Sequence, residues 1–147
     1  MEQASLLQFF TASPGFAANL AGVMPAIRAG MNRAAAHYEP GRKELVDAIN
    51  ETAKREGLAL TSGGGKQISL EHLNKWLQPG ERGHAPTLEA IMVFCLATKD
   101  YSPLEAIWKP FGLVLIPAED MRFLTLGKAQ ANYEDARAAL KTARAKV

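Results

Sequence analysis

The sequence predicts an all-α fold, a helical bundle with extra helices at its N-terminus and a further helix at its C-terminus. Apolar residues recur three and four positions apart along most of the 147 residues, which is the period of a helix face. Proline and glycine fall between these stretches and divide them into separate elements. Only Gly112-Leu113-Val114-Leu115-Ile116-Pro117 reads as extended, a short β-branched run between breakers.

Residues 2–11 suit a short helix with Leu6, Phe9 and Phe10 on one side. Ser13-Pro14 then supplies an N-cap followed by proline at the first helical position, opening an Ala-rich helix that Pro25 should break or kink. From Pro25 onward Ile27, Met31, Ala34 and Tyr38 form one stripe, which Glu39-Pro40-Gly41 ends. The next helix runs from near Arg42 to Glu56 and is closed by Gly57, with Leu45, Val46, Ile49 and Ala53 inward. Leu58 to Gln67 is a loop that the run Gly63-Gly64-Gly65 should leave flexible.

Ser69 to Gln78 is the helix around which the other elements are arranged. Ser69 can cap its first turn, and Pro79-Gly80 forces its end. On a helical wheel Leu70, Trp76 and Leu77 lie within roughly 60° of Leu73, and the opposite face carries Glu71, His72, Asn74, Lys75 and Gln78. Asn and Gln can make paired hydrogen bonds to adenine, and Lys can reach guanine or phosphate. An ordinary solvated helix face would carry the same residue types.

Beyond a polar loop holding Arg82 and His84, Pro86-Thr87-Leu88-Glu89 opens a strongly apolar helix that reaches Thr98. Ser102-Pro103 opens a shorter one with Leu104, Ile107 and Trp108 inward, stopped by Pro110. Ala118-Glu119-Asp120 begins a last helix, interrupted near Gly127, whose stripe includes Met121, Leu124, Ala131 and Leu140. The organisation read from this pattern is an N-terminal helical extension (1–24), a central bundle (25–117) and a C-terminal helix for self-association (118–147).

Seventeen Lys and Arg against fifteen Asp and Glu leave a net charge of +2, so overall charge alone does not point to nucleic acid. Its distribution is more informative, with a basic tail from 128 to 147 and an acidic segment from 86 to 127. Cys95, within an apolar run, is a core residue and the chain's one cysteine, so no internal disulfide forms. With neither a signal peptide nor a membrane-spanning run in the sequence, the expected location is the cytoplasm.

Enzymatic function is not expected. His37, His72, His84 and Cys95 lack zinc-ligand spacings, and there is no nucleophile elbow and no Gly-x-Gly-x-x-Gly turn. Gly64-Gly65-Lys66 is not a phosphate loop: Leu60 stands where its first glycine belongs, and Gln67 follows the lysine. No cofactor or metal is implied.

The order of elements, a charged helix, a loop and then a capped polar-faced helix, is the layout of a helix-turn-helix domain. Residues 41–116 resemble the repressor-like helix-turn-helix family, in particular the CII-type phage regulatory proteins and related regulators of Mu-like prophages. The segment Ile68 to Pro79 resembles their recognition helix, with an asparagine-lysine-apolar-leucine core before a proline turn. His84-Ala85-Pro86-Thr87-Leu88 resembles the opening of their next helix, and Ala97-Thr98-Lys99-Asp100 their following turn. Gly112-Leu113-Val114-Leu115 resembles the short piece that ends their domain.

The resemblance implies a DNA-binding transcriptional regulator of phage or prophage type, dimeric on double-stranded DNA. Ser69, His72, Asn74, Lys75 and Gln78 would face base edges, and Arg42, Lys43, Lys66 and Arg82 would meet phosphates. The pattern departs from the family in its join. About ten residues separate the two helices where the family uses three or four. The competing expectation, favoured by the near-neutral charge and the acidic segment, is a non-enzymatic helical module that binds protein, such as a phage-encoded adaptor.

Overall fold

The computed structural model describes residues 20–146, so the expectations for the first nineteen residues lie outside the described part. Among the described residues helices are the regular secondary structure, joined by turns and irregular chain, and there are no strands. Two compact units divide the chain, residues 1–114 and 115–147.

Among the described residues the first unit contains α1 (Val23–His37), α2 (Arg42–Glu56), α3 (Leu70–Leu77), α4 (Leu88–Thr98) and α5 (Ser102–Trp108). A 3-10 turn, Lys109–Phe111, then continues from α5. Pro25 lies in the first turn of α1, just after a turn at Gly22 that separates α1 from the helical residues before it. A proline there costs nothing, because the amides of a first turn have no intrahelical acceptor. Gly57 ends α2 at φ +68°, and its amide reaches back to the carbonyls of Ala53 and Lys54. Thr87 caps α4, its hydroxyl accepting from the Ala90 amide at 3.1 Å.

The core forms where the stripes converge. Ile27, Met31 and Ala34 of α1 meet Leu45, Ile49 and Ala53 of α2, Leu73, Trp76 and Leu77 of α3, and Ile91, Val93, Phe94 and Cys95 of α4. The expected inward residues of α2 are therefore buried, and so is Cys95 of α4. Desolvation pushes the Cys95 thiol up to about 11, so it stays a neutral thiol. Helix α5 crosses α1 at Gly30, where a Cβ would come within 3.2 Å of the Pro103 backbone. A larger residue would require the Pro103 backbone to give by a few tenths of an ångström.

Several expectations are corrected. Leu70 is 41% exposed because it lies at the edge of the apolar face, in the first turn of α3, about 60° around the helix from the fully buried Leu73. Trp108, expected inside, is equally exposed at the end of α5. The glycine loop is closed on itself rather than open. The Gly65 carbonyl accepts from the amides of Leu60 (2.7 Å) and Thr61 (3.2 Å), and the Gly64 amide donates to the Thr61 carbonyl at 2.9 Å. The Gly65 amide donates to the Thr61 hydroxyl at 2.9 Å, while Leu60 and Ile68 sink into the core on either side. Leu113–Pro117 has no strand partner and is irregular chain.

The second unit contains a 3-10 turn, Ala118–Asp120, and α6 (Met121–Ala145). Helix α6 passes through Gly127 without the expected interruption, since one glycine costs only about 1 kcal/mol in a helix of this length. None of its residues is buried.

Candidate nucleic-acid interface

Helix α3 has eight residues, about 12 Å of helix, and is too short to persist in water unaided. Side chains from two other helices hold it. At its start the Ser69 hydroxyl accepts from the His72 amide at 3.2 Å. Just before it, Asn50 of α2 pairs with both backbone groups of Ile68. Its Nδ2 donates to the Ile68 carbonyl (3.0 Å) and its Oδ1 accepts from the Ile68 amide (2.8 Å).

The other end is held by Arg28 of α1, which is 2% exposed. Its Nη1 donates to the carbonyls of Lys75 (2.7 Å), Trp76 (2.9 Å) and Gln78 (3.2 Å), and its Nη2 to that of His84 (3.2 Å). The last carbonyls of a helix lack intrahelical donors and carry the negative end of its dipole, so a buried guanidinium answers both needs. Trp76, 1% exposed, anchors α3 in the core.

Sequence reasoning missed Asn50 and Arg28, although a signal existed. Asn50 lies four after Val46 and three before Ala53, and Arg28 lies three before Met31 and seven before Ala35. Each is a polar residue on a buried stripe.

With α3 held in this way, its polar face can be placed residue by residue. Asn74 is exposed, and its Oδ1 accepts from Arg42 Nη1 at 3.0 Å. The other terminal nitrogen of Arg42 reaches Asn32 Oδ1 of α1 at 3.4 Å. One expected phosphate contact and one expected base contact are thus brought together, and the guanidinium orients the amide. Gln78 is exposed at the C-cap.

The remaining base-edge candidates are more constrained. The Ser69 hydroxyl is engaged in the cap. Lys75 is half-buried and paired to Glu71 at 3.0 Å, with its hydrogen bond holding the exposed Glu71 carboxyl below the usual carboxylate range. Its expected free cation is thereby neutralised. The His72 ring lies edge-on to Trp76 at 5.3 Å and to His84 at 6.1 Å. Partial burial pushes its imidazole below the ordinary value, and His84 adds to this, so it faces outward as a neutral ring.

Of the other phosphate candidates, Lys43, Lys66 and Arg82 are exposed and form no ion pair among the described residues. Lys66 lies beside Lys54 and Gly57 at a shallow cavity of about 290 Å³. That places it at the end of α2 remote from Arg42, about 21 Å away along the helix axis. The two cations flank the surface from opposite ends instead of touching. Near Arg82, Glu81 accepts from the Gly83 amide at 2.8 Å and lies 3.5 Å from His84 Nδ1. These contacts, the amide first, hold its carboxyl below the usual range.

No family model, curated protein or solved structure matches this chain. The surface must therefore be read from its own chemistry. Among the described residues no group of three His, Cys, Asp or Glu side chains could hold a metal ion, and no helix is long and apolar enough to cross a membrane.

Proposed function

We propose that this chain is a sequence-specific DNA-binding transcriptional regulator of phage or prophage type that lays α3 in the major groove. The observation that carries the reading is the Arg42–Asn74 hydrogen bond on a helix clamped at both ends. Base recognition needs a side-chain amide held in one orientation on a rigid element, with cations beside it for the phosphates. Asn74 would read an adenine edge with Gln78 beside it. The neutral His72 ring would offer one donor and one acceptor. Arg42 and Lys43 on one side, and Lys66 with Arg82 on the others, would meet the backbones. In this reading α2 and α3 form the helix-turn-helix, with the Thr61–Gly65 turn as an ordered insertion in its join. The regulator would bind as a dimer on a two-fold-symmetric site.

A second reading, a helical protein-binding module, draws support from the Glu71–Lys75 pair, which removes one cation from the surface. Fluorescence anisotropy of random-sequence duplex DNA at two salt concentrations separates the readings. A regulator binds at low salt and weakens steeply as salt rises, because each neutralised phosphate releases condensed counterions. Folded chain that leaves the duplex unbound at low salt belongs to the second reading.

A further inference from the structure

The continuity of α6 through Gly127 fixes a single register over the whole helix. In that register Leu126, Ala129, Tyr133, Ala136, Leu140 and Ala143 alternate at spacings of three and four, the a and d positions of a heptad repeat. The large residues occupy a, and alanine occupies every d. All six are exposed: Leu126 is 67% accessible, Tyr133 62% and Leu140 53%. A coiled-coil seam is therefore present, and no helix among the described residues fills its holes.

The positions flanking the seam say what would fill it. Between Gln130 and Lys146 the e and g positions hold three cations, Arg137, Arg144 and Lys146, and three uncharged residues, Gln130, Asn132 and Ala139. None of these cations forms an ion pair among the described residues. Glu134 and Asp135 fall on the outer b and c positions, and Glu134 accepts from Gln130 Nε2 at 2.8 Å. A second copy would make a poor partner. A parallel pair sets Asn132 against Arg137 and Ala139 against Arg144, and an antiparallel pair sets e against e, arginine facing arginine. Neither orientation forms an ion pair across the seam.

We propose that α6 is a docking helix for a partner protein, which supplies an amphipathic helix with Asp or Glu at its own e and g positions. The alanines at d leave holes that accept larger apolar knobs, and the e and g cations select for acid and fix the pairing. The sequence alone favours self-association through this helix; the charges beside the seam favour a partner of opposite sign. The inference goes beyond the DNA reading and does not depend on it.

The test uses the full chain and two labelled three-heptad peptides with leucine at a and d, one bearing Glu at every e and g position and the other Lys. The Glu peptide should bind several-fold more tightly than the Lys peptide, more weakly at high salt, and not to the Leu126→Asp/Leu140→Asp chain. Arg137→Glu/Arg144→Glu should reverse the preference between peptides, a gain of binding that misfolding cannot imitate. Equal binding of the two peptides, or none of the Glu peptide, overturns the proposal. So does a chain that sediments as a dimer broken by Tyr133→Asp. Capture by anionic lipid vesicles through the same arginines, without Glu-peptide binding, overturns it too.

Discussion

Helix α3 and helix α6 are opposite answers to the question of what makes a helix persist. The first has eight residues, buries Leu73, Trp76 and Leu77, and is tied at both ends by side chains from α1 and α2. The second has 25 residues and buries none of them. A helix of eight residues falls below the length at which backbone cooperativity sustains it in water, so its surroundings must define it. One of 25 can rest on propensity and length alone. The difference teaches where precise recognition can be built. A face that must present amides at fixed angles belongs on the clamped helix, and a seam that meets a mobile partner can sit on the free one.

The largest expected effect on this comparison comes from Arg28. Arg28→Ala removes the guanidinium from four carbonyls, of which those of Lys75 and Gln78 keep a backbone amide while the buried one of Trp76 and that of His84 lose their donor. It should cost about 3 kcal/mol of stability, because unpaired buried acceptors are expensive. Chemical denaturation followed by tryptophan fluorescence gives the loss, and amide exchange should show α3 opening first. Unchanged protection of α3 would mean that the clamp does not hold it. Asn50→Ala comes next, at about 2 kcal/mol, since both backbone groups of Ile68 lose their partner at a half-buried position. A midpoint that does not move would show the 58–68 loop to be held by its own turn instead.

The smallest change sharpens the other side. Gly127→Ala meets nothing within 4 Å and should favour helix in the 115–147 unit by up to about 1 kcal/mol. Far-UV circular dichroism should show added helicity. No gain would mean that α6 is already saturated and that propensity is not what limits it.

The same contrast explains how much of the molecule was legible in its residues. The bounds of α2, α3 and α4 could be read closely because each pairs a capping residue with a stripe: Gly57, Ser69 and Thr87 with Val46, Leu73 and Phe94. The ordered Thr61–Gly65 turn was not legible, because its closure depends on Leu60 and Ile68 being drawn into a core that no local pattern describes. The continuity of α6 was misread for a related reason. A glycine looks like a stop in isolation, yet its cost is carried by a helix of about seven turns. The candidate interface was half legible. The wheel placed Asn74 and Gln78 outward, but the Glu71–Lys75 pair and the Arg42–Asn74 bond are choices among rotamers that spacing alone cannot make. Arg28 and Asn50 act entirely through tertiary contacts, and a polar residue on an apolar stripe was their one trace.

The central claim is that Asn74, oriented by Arg42 on the clamped helix, reads bases. Its most direct test is selection from a random duplex library with the parent chain, followed by titration of the selected duplex and base-substituted versions with Asn74→Ala and with Lys66→Ala. The account predicts that Asn74→Ala loses about 1–3 kcal/mol of discrimination at one base pair. Lys66→Ala should weaken all duplexes alike and lower the salt slope by about one. Parent chain that selects no sequence, or Asn74→Ala that keeps the full preference, would contradict it.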